Sequence, residues 1–215
     1  DLTAGFGDVD GDTLSVKDLT ASSGATAVRN GPNTYAVIPA TNYNGTVTLT
    51  YTVTDGKGGD VTGVTRSFTL DAVNDAPTLT TTTTLSTTED TATAAIAFAG
   101  ADIDGDTLTY SFSDPAKGSV TDNGNGTFTY TPDADANGQD SFTLSVTDDT
   151  ETTTKTINVS IAAVNDAPTG SASASLANGA EDTAYTVSIT DLTAGFGDVD
   201  GDTLSVKDLT ASSGA

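Results

Sequence analysis

The chain of 215 residues has no cysteine, methionine, tryptophan or histidine, and only seven of its residues are basic. Without cysteine no disulfide can hold a small domain together, and without cysteine or histidine zinc lacks its usual ligands. No apolar run approaches the ~20 residues of a membrane-spanning helix. No catalytic nucleophile with a histidine base and no glycine-rich phosphate loop before a helix is found. We therefore expect a protein that is not an enzyme and does not insert into a membrane.

Acidic side chains dominate the charge of the chain. There are 30 of them, the net charge is −23, and all except Glu89, Glu151 and Glu181 are aspartate. Aspartate favours loops and turns and is a common ligand of hard cations. So much negative charge opposes binding to nucleic acid, which is itself an anion. The composition therefore indicates a cation, and not a nucleic acid, as a partner.

The chain repeats itself over a long period. Residues 1–25 return without a single change as residues 191–215, which lie 190 positions further along. Repetition of this kind is typical of tandem arrays that span distance or multiply weak contacts. It favours a structural role over a chemical one.

A shorter and more divergent period lies inside the long one. The motif DVDGDTLSV at residues 8–16 returns as DIDGDTLTY at residues 102–110 and again at residues 198–206. The motif AVNDAPT at residues 72–78 returns at residues 163–169. The steps of 91 to 96 residues define a unit of the size of a small sandwich domain.

Each unit reads as antiparallel β-structure. Alternating apolar residues, such as Phe128 with Tyr130 and Phe142 with Leu144, predict strands with one buried face. In the middle unit we expect strands at residues 78–86, 94–100 and 107–113, followed by hairpins over residues 118–132 and 140–164, with Asn-Gly turn signals in the first hairpin. Seven antiparallel strands in two sheets follow from this pattern.

We expect three parts along the chain. Residues 1–75 form a domain that lacks its first strands, residues 76–167 form a complete domain, and residues 168–215 hold the first strands of a further domain. Residues 168–190 followed by residues 1–75 would make one whole domain. Open strand edges attract partners, so head-to-tail association between molecules is an expectation besides contacts between neighbouring repeats.

Acidic loops gather at both ends of each predicted sandwich, because successive strands alternate in direction. The DxDGD loop lies beside the preceding linker, and the Glu89-Asp90 pair lies beside the following linker. Each junction thus collects carboxylates that repel one another without a counterion. Ca²⁺ accepts six to eight oxygen ligands in flexible geometry, whereas Mg²⁺ prefers tighter octahedra. We predict Ca²⁺ at the junctions. A plain turn remains the alternative for each loop, and above all for Asp55 and Asp148.

The ordered set of motifs resembles a known family. The linker DAVNDAP at residues 71–77, the Glu89-Asp90 pair, the loop DIDGD at residues 102–106 and the turn VTDGKGG at residues 53–59 are similar to cadherin-like repeats of giant bacterial surface proteins, such as repeats-in-toxin adhesins. The resemblance covers essentially the whole chain. It implies an all-β chain of tandem immunoglobulin- or cadherin-like antiparallel β-sandwich domains, arranged like beads on a string, with Ca²⁺ at the junctions.

The resemblance also implies which residues bind the ions. For the first junction the set is Asp71, Asn74, Asp75, Asp102 and Asp104. For the second junction it is Glu89, Asn165, Asp166, Asp198 and Asp200, with Asp140 as an addition. The remaining acids of the same motifs complete the candidate set: Asp8, Asp10, Asp12, Asp90, Asp106 and Asp202. Ala162 stands where the first linker has Asp71, so the two junctions are expected to differ.

These features predict a structural extender, a stalk or filament stiffened by Ca²⁺, located on a bacterial cell surface or in a secreted extracellular matrix. One alternative is an adhesive module that binds a sugar or a protein partner directly. Another is a self-assembling extracellular fibre subunit whose copies join head to tail.

Overall fold

The computed structural model describes residues 1–32 and 34–211. These residues form two compact units. The first comprises Asp1–Pro77, Ala101–Thr107 and Asp148–Glu151, and the second comprises Thr78–Gly100, Leu108–Thr147 and Thr152–Ala215. Each unit has its own buried apolar cluster. The predicted all-β sandwich class is confirmed, since nearly all regular structure is strand.

The first unit is a small antiparallel sandwich. Its strands are β1 (Ser15–Ala21), β2 (Ala25–Arg29), β3 (Tyr35–Pro39), β4 (Gly45–Thr54) and β5 (Asp60–Leu70). One sheet has the order β1-β4-β5, and the other pairs β2 with β3. Alternate residues of β4 supply most of the core, because successive side chains of a strand point to opposite faces. The buried apolar residues are Leu19, Val47, Leu49, Tyr51 and Val53.

The second unit contains a complete eight-stranded sandwich. Its strands are β6 (Thr78–Thr81), β7 (Thr84–Thr88), β8 (Ile96–Ala101), β9 (Thr109–Phe112), β10 (Gly118–Asp122), β11 (Thr127–Pro132), β12 (Gly138–Thr147) and β13 (Thr152–Ala162). The two sheets have the orders β10-β11-β8-β6 and β7-β13-β12-β9. The predicted hairpins are present as β10–β11 and β12–β13.

The predicted first strand, residues 78–86, is in fact two strands in different sheets. The chain crosses from one sheet to the other at Thr82 and Thr83, so that Leu79 and Leu85 are both buried but on opposite layers. After the crossing, β7 runs parallel to β13, whereas β13 pairs antiparallel with β12 on its other edge and β12 pairs antiparallel with β9. The expectation of a purely antiparallel domain is therefore wrong for this pair.

Aromatic rings fill the centre of the second sandwich. Phe128 and Tyr130 are fully buried, as the alternation predicts. Phe98 and Phe128 lie 6.2 Å apart between ring centroids, and Phe128 meets Phe142 edge to face at 5.6 Å. Tyr130 stacks on Phe142 with an interplanar angle of 4°. This density of ring contacts lets a domain without cysteine keep a well-packed interior.

Shortening one core side chain tests the sandwich core. We expect Ile157→Val to lower the free energy of unfolding of the second sandwich by about 1 kcal/mol, since Ile157 is fully buried and a methylene is lost. Hydrogen exchange of the β12 and β13 amides measures this locally. The matched control is Val73→Ala, where the side chain is 80% exposed and the expected change is within about 0.5 kcal/mol. Equal effects of the two changes would contradict the assigned core.

The residues after β13 hold little regular structure. β14 (Thr169–Gly170) pairs with β15 (Phe196–Gly197), and the helix α1 (Ile189–Thr193) lies between them. A capping box fixes the start of α1, because Ser188 and Asp191 each bond to the other's backbone N–H. Within the described residues, no helix is long and apolar enough to cross a membrane.

Candidate metal centres

Each DxDGD loop is wound around the side chain of its first aspartate. In the middle loop, Asp102 Oδ1 accepts hydrogen bonds from the backbone N–H groups of Asp104, Gly105 and Asp106 at 2.9, 3.0 and 3.3 Å. The glycine lies in the left-handed region with φ 83°, where other residues are strained. The loop is therefore a turn closed by its own side chain, but these bonds account for only one of the two oxygens of Asp102.

The two other copies fold in the same way. Asp8 Oδ1 accepts from Asp10 and Asp12 at 2.8 and 3.1 Å. Asp198 Oδ1 accepts from Asp200 and Asp202, both at 3.1 Å. Their glycines share a φ of 79°. The sequence repeat is thus a repeat of local geometry.

The second oxygen of Asp102 is the first sign of a cation site. This Oδ2 atom is buried and has no hydrogen-bond partner in the part of the chain that the structure describes. Leaving a buried carboxylate oxygen unpaired is costly. Carboxylate oxygens of Asp102, Asp104 and Asp106 lie within 4.8 Å of one another. A cation between them would satisfy the orphaned oxygen and offset the repulsion.

The AVNDAPT linker is hydrogen-bonded to the DxDGD loop that follows it in both places where the chain contains the two motifs in this order. The backbone N–H of the linker aspartate donates to the side chain of the second aspartate of the loop. Within the first unit, the backbone N–H of Asp75 donates to Asp104 Oδ2 at 2.8 Å. Within the second unit, the N–H of Asp166 donates to Asp200 Oδ2 at 2.7 Å. The structure therefore brings together the linkers and loops that the resemblance implies should meet.

Other linker residues have different surroundings. Asn74 donates from Nδ2 to Asp148 Oδ2 at 3.0 Å, and the backbone N–H of Glu151 and then Asn74 hold the pKa of Asp148 below its usual range. Asn165 is exposed and bonds to the carbonyl of Asp166 at 2.8 Å. Asp71 is exposed and lines a cavity of about 400 Å³ with Asp75 and Asp104. Asp148 thus closes its own turn and also binds the linker through Asn74.

Asp166 lies at the centre of the second acidic cluster. It forms one group with Glu89 and Asp200 and another with Asp90 and Asp135, in which the carboxylate oxygens lie within 4.8 Å of one another. Its Oδ2 atom is buried and, among the described residues, has no hydrogen-bond partner. Burial and then the negative charges of its neighbours raise the pKa of Asp166. This is the electrostatic environment that a bound cation would relieve.

Glu89 is held firmly in this cluster. Its side chain is 2% exposed, and its carboxylate accepts from the backbone N–H of Val164 and from Asn137 Nδ2, the latter at 3.3 Å. Asn137 begins the pair Asn137-Gly138, which repeats Asn44-Gly45 at a step of 93 residues. The Glu89-Asp90 and Asn137-Gly138 pairs therefore meet in one site.

Asp135 is a member of the cluster that the candidate set omits. It adopts a left-handed backbone conformation with φ 57°, and its N–H faces Asp90 Oδ1 at 3.4 Å. The signal in the sequence is the acidic run DADANGQD at residues 133–140, which follows the predicted hairpin over residues 118–132.

Asp140 has a structural role instead of the expected place in the ion site. Its buried carboxylate accepts from the N–H groups of Ala116, Lys117 and Ser141 at 2.8 to 3.0 Å, and from Tyr130 Oη at 2.7 Å. Its lone pairs are thus engaged, and it is absent from the acidic groups of the described residues. Burial and the Asp140 hydrogen bond raise the pKa of Tyr130.

The first DxDGD loop belongs to a further acidic group, and a lysine side chain of the same unit lies beside it. Asp8 and Asp12 gather with Asp55 of the hairpin turn, and Lys57 Nζ lies 2.7 Å from Asp12 Oδ1. Asp55, left open between turn and ligand, therefore belongs to an acidic group and also caps its own turn through Lys57 and Gly59 N–H groups. The aspartates of the predicted set that lie outside all four groups of the described residues are Asp10, Asp71, Asp75, Asp140, Asp198 and Asp202.

The donor chemistry of these clusters fits Ca²⁺. All the side-chain ligand atoms are oxygens, and the Asp102 and Asp166 clusters each contain one buried oxygen that has no hydrogen-bond partner within residues 1–32 and 34–211. Hard oxygen donors in a flexible loop are the ligands that Ca²⁺ accepts, with carbonyl groups and water completing six to eight positions. The residues that would hold an ion are Asp102, Asp104 and Asp106 in one cluster and Glu89, Asp90, Asp135, Asp166 and Asp200 in the other.

The family model for the cadherin-like domain matches residues 1–71, 73–162 and 164–215. The chain belongs to this family, as the resemblance of its motifs indicates. Tandem domains of this kind indicate an extracellular role in adhesion or structure. No curated protein matches the chain.

Solved structures show distant similarity. Human protocadherin-24 EC1-2 is 17% identical with a TM-score of 0.41, over 74% of this chain and 85% of that one. Drosophila N-cadherin EC1-3 is 10% identical with a TM-score of 0.35, over 73% and 57%. An endo-fucoidan hydrolase of glycoside hydrolase family 107 is 20% identical with a TM-score of 0.33, over 72% of this chain. The chain spans only 24% of the hydrolase.

Proposed function

We propose that the chain is a non-catalytic extender of an extracellular bacterial stalk, filament or matrix, in which Ca²⁺ ties each linker to the loops beside it. The observation that carries the proposal is the repeated meeting of linker and loop. The backbone N–H of Asp75 donates to Asp104 as that of Asp166 donates to Asp200. Among the described residues a buried carboxylate oxygen without a hydrogen-bond partner lies beside each of these bonds, on Asp102 of the loop in one copy and on Asp166 of the linker in the other. A single acidic turn would carry little weight, but a bond from linker to loop that occurs twice supports a junction that holds the two together.

The electrostatics of the clusters support a divalent ion. The Asp166 cluster contains five carboxylates, in two groups of three that share Asp166, and the described residues supply no ion pair to them. Each ion would neutralise part of this repulsion and fix the linker backbone through Asp166. The linker would then lose freedom of rotation, which is the property that an extender needs.

The energetic scale of one site is modest. Extracellular calcium modules bind with Kd of ~10⁻⁴–10⁻³ M, so millimolar Ca²⁺ would stabilise each site by roughly 1 kcal/mol. The effect adds along an array of repeats. The extender proposal therefore needs many weak sites and not one tight site, in keeping with the exact repetition of residues 1–25.

A calcium titration tests the proposal. We expect thermal melts in millimolar Ca²⁺ to shift upward by about 4–8 °C relative to chelator for each kcal/mol gained. Small-angle scattering should show a longer and stiffer particle in Ca²⁺. Mg²⁺ at the same concentration should substitute poorly, because it requires a tighter octahedron.

A paired substitution locates the effect. Asp102→Asn with Asp104→Asn should abolish the scattering change at the first junction while hydrogen exchange of the β12 and β13 amides stays unchanged. The matched control, Asp114→Asn with Asp122→Asn, removes the same charge outside the acidic groups. Equal responses of the two double variants to Ca²⁺ would sink the proposal, since the acidic loops would then be ordinary solvated turns.

A further inference from the structure

The parallel ladder between β7 and β13 continues past the ends of both strands. Near its start the backbone N–H of Asn158 donates to the carbonyl of Thr83 at 2.9 Å, and at its end the N–H of Glu89 donates to the carbonyl of Ala162 at 3.0 Å. The bonds of a parallel pair are evenly spaced, and their donors come from the two strands in turn. The next bond of the ladder would therefore run from the N–H of Val164 to the main-chain carbonyl of Glu89.

The side chain of Glu89 takes the place of that carbonyl. The N–H of Val164 donates to Glu89 Oε1. The next residue, Asp90, has a left-handed backbone with φ 59°, and a turn closes from Thr91 N–H to the carbonyl of Thr88 at 3.3 Å. The main chain thus leaves the ladder at Glu89, and its carboxylate binds the N–H that would otherwise lose its partner. A hydrogen bond to a charged acceptor is stronger than one to a carbonyl.

Asn137 holds the second oxygen of the same carboxylate. Its Nδ2 atom donates to Glu89 Oε2 at 3.3 Å, and its own carbonyl accepts from Lys117 Nζ at 2.6 Å. Lys117 is in turn held by the sandwich core, since its backbone N–H donates to the buried carboxylate of Asp140 at 2.9 Å. The position of Glu89 is therefore fixed from the interior of the sandwich.

Burial makes the hydrogen bonds of Glu89 costly to break. The side chain is 2% exposed, and neither ion pair of the described residues involves it. A buried carboxylate without a cationic partner depends on its hydrogen bonds, because each lost bond leaves part of the charge without compensation. Glu89 thus favours the bonded arrangement whether or not a metal ion is present.

We propose that Glu89 is a calcium-independent latch on the exit linker, residues 163–168, with Asn137 as its positioning residue. The latch extends the ladder by one hydrogen bond beyond β13 and fixes the linker to the sandwich as far as Val164. Calcium then acts on the residues after Val164, of which Asp166 belongs to the acidic groups. This division of the linker rests on the proposed function, but the latch itself does not.

Hydrogen exchange of the Val164 amide in chelator tests the latch. Val164 is 47% exposed, so slow exchange of its amide reports the hydrogen bond and not burial. We expect exchange in the wild type to be at least tenfold slower than in an unstructured chain. Glu89→Ala should make it faster by about tenfold to a hundredfold, which is what a hydrogen bond to a charged group contributes.

Two further variants control this comparison. Glu151→Ala removes the same side chain at the opposite end of β13 and should leave exchange at Val164 unchanged. Exchange of the β12 amides shows whether the sandwich stays folded. If Glu89→Ala unfolds it, Glu89→Gln gives the comparison, because the amide keeps the size of the side chain and removes its charge. Equal exchange at Val164 in the wild type and in a folded Glu89 variant would overturn the proposal.

Asn137→Ala tests the positioning role. Alone it should make exchange at Val164 several-fold faster. In the Glu89→Ala background it should have no further effect on this amide, because Asn137 acts through the carboxylate. A residue that only stabilised the sandwich would have the same effect in both backgrounds, and that result would remove Asn137 from the latch.

Adding millimolar Ca²⁺ separates the latch from the calcium site. If both proposals hold, Ca²⁺ slows exchange of the Asp166 amide and leaves that of Val164 as it was. Slow exchange at Val164 in chelator, with no response of Asp166 to Ca²⁺, would support the latch and contradict the calcium site. A Val164 amide that is protected only when Ca²⁺ is present would overturn the latch and leave the calcium site standing.

Discussion

Changing Asp140 to Asn is expected to lower the free energy of unfolding of the second sandwich by about 3 kcal/mol. The buried carboxylate accepts from three backbone N–H groups and from Tyr130 Oη. An amide offers one acceptor oxygen where the carboxylate offers two, and its NH₂ group faces donors. The backbone N–H groups of residues 116, 117 and 141 would be left without a full partner.

Hydrogen exchange of the β12 and β13 amides measures the loss, with exposed Asp122→Asn as the charge-matched control. Tyr130→Phe removes one donor only, and the double variant gives the coupling between the two groups. The calcium response should survive in Asp140→Asn, because Asp140 lies outside the acidic groups. A loss of that response with an unchanged core would return Asp140 to the metal site.

The same carboxylate makes stability depend on pH. Burial acts to raise the pKa of Asp140, but hydrogen bonds from Tyr130 and the backbone N–H groups outweigh it and lower the pKa. A lowered folded-state pKa contributes stability above the unfolded value of about 3.9, and that contribution is lost as pH falls through the folded value. The difference between the wild type and Asp140→Asn should therefore be constant at neutral pH and shrink below about pH 4. A difference that grew on acidification would contradict this assignment.

Changing Asp166 to Asn is expected to have opposite effects with and without calcium. In chelator the substitution removes a charge that burial and then the carboxylates of Asp135, Asp200, Asp90 and Glu89 disfavour, so it should stabilise the second unit. In millimolar Ca²⁺ it removes a ligand that both acidic groups share, so the calcium gain of roughly 1 kcal/mol or more should disappear. The variant should therefore melt at a higher temperature than the wild type in chelator and at a lower temperature in Ca²⁺.

Thermal melts of the two proteins in chelator and in Ca²⁺ measure this reversal. Asp149→Asn is a charge-matched control outside the acidic groups, and its effect should have the same sign in both conditions. If Asp166→Asn destabilised the chain equally in chelator and in Ca²⁺, the carboxylate would be a structural acceptor and the ion site would have to lie elsewhere.

The sequence predicted most strands because the apolar alternation survives in the fold. Phe128, Tyr130 and Leu144 are all fully buried. The crossing of the chain between sheets at Thr82 could not be predicted from the sequence. A run of threonines has no alternation of apolar and polar residues that would show where one strand ends and the next begins. Leu79 and Leu85 fit one strand as well as two.

The acidic loops were predictable from their repetition, but the roles of individual acids were not. Asp102 and Asp166 lie where the motifs place them, and Asp135 joins them because its backbone turns left-handed. The position of Asp140 in the strand pattern could have distinguished it from the acids of the loops. It shares the period of Phe142 and Leu144, which puts it on the inner face of β12 rather than in a loop.

The parallel pairing of β7 with β13 determines how a pulling force enters the second sandwich. β7 lies near the N-terminal linker of the repeat and β13 leads directly into the next linker. When the two linkers are drawn apart, the strands are pulled along their length in opposite directions. The ladder from Asn158 opposite Thr84 to Ala162 opposite Thr88 is then loaded in shear, so its hydrogen bonds resist together instead of opening one by one. The short, crossed first strand thus forms a mechanical clamp.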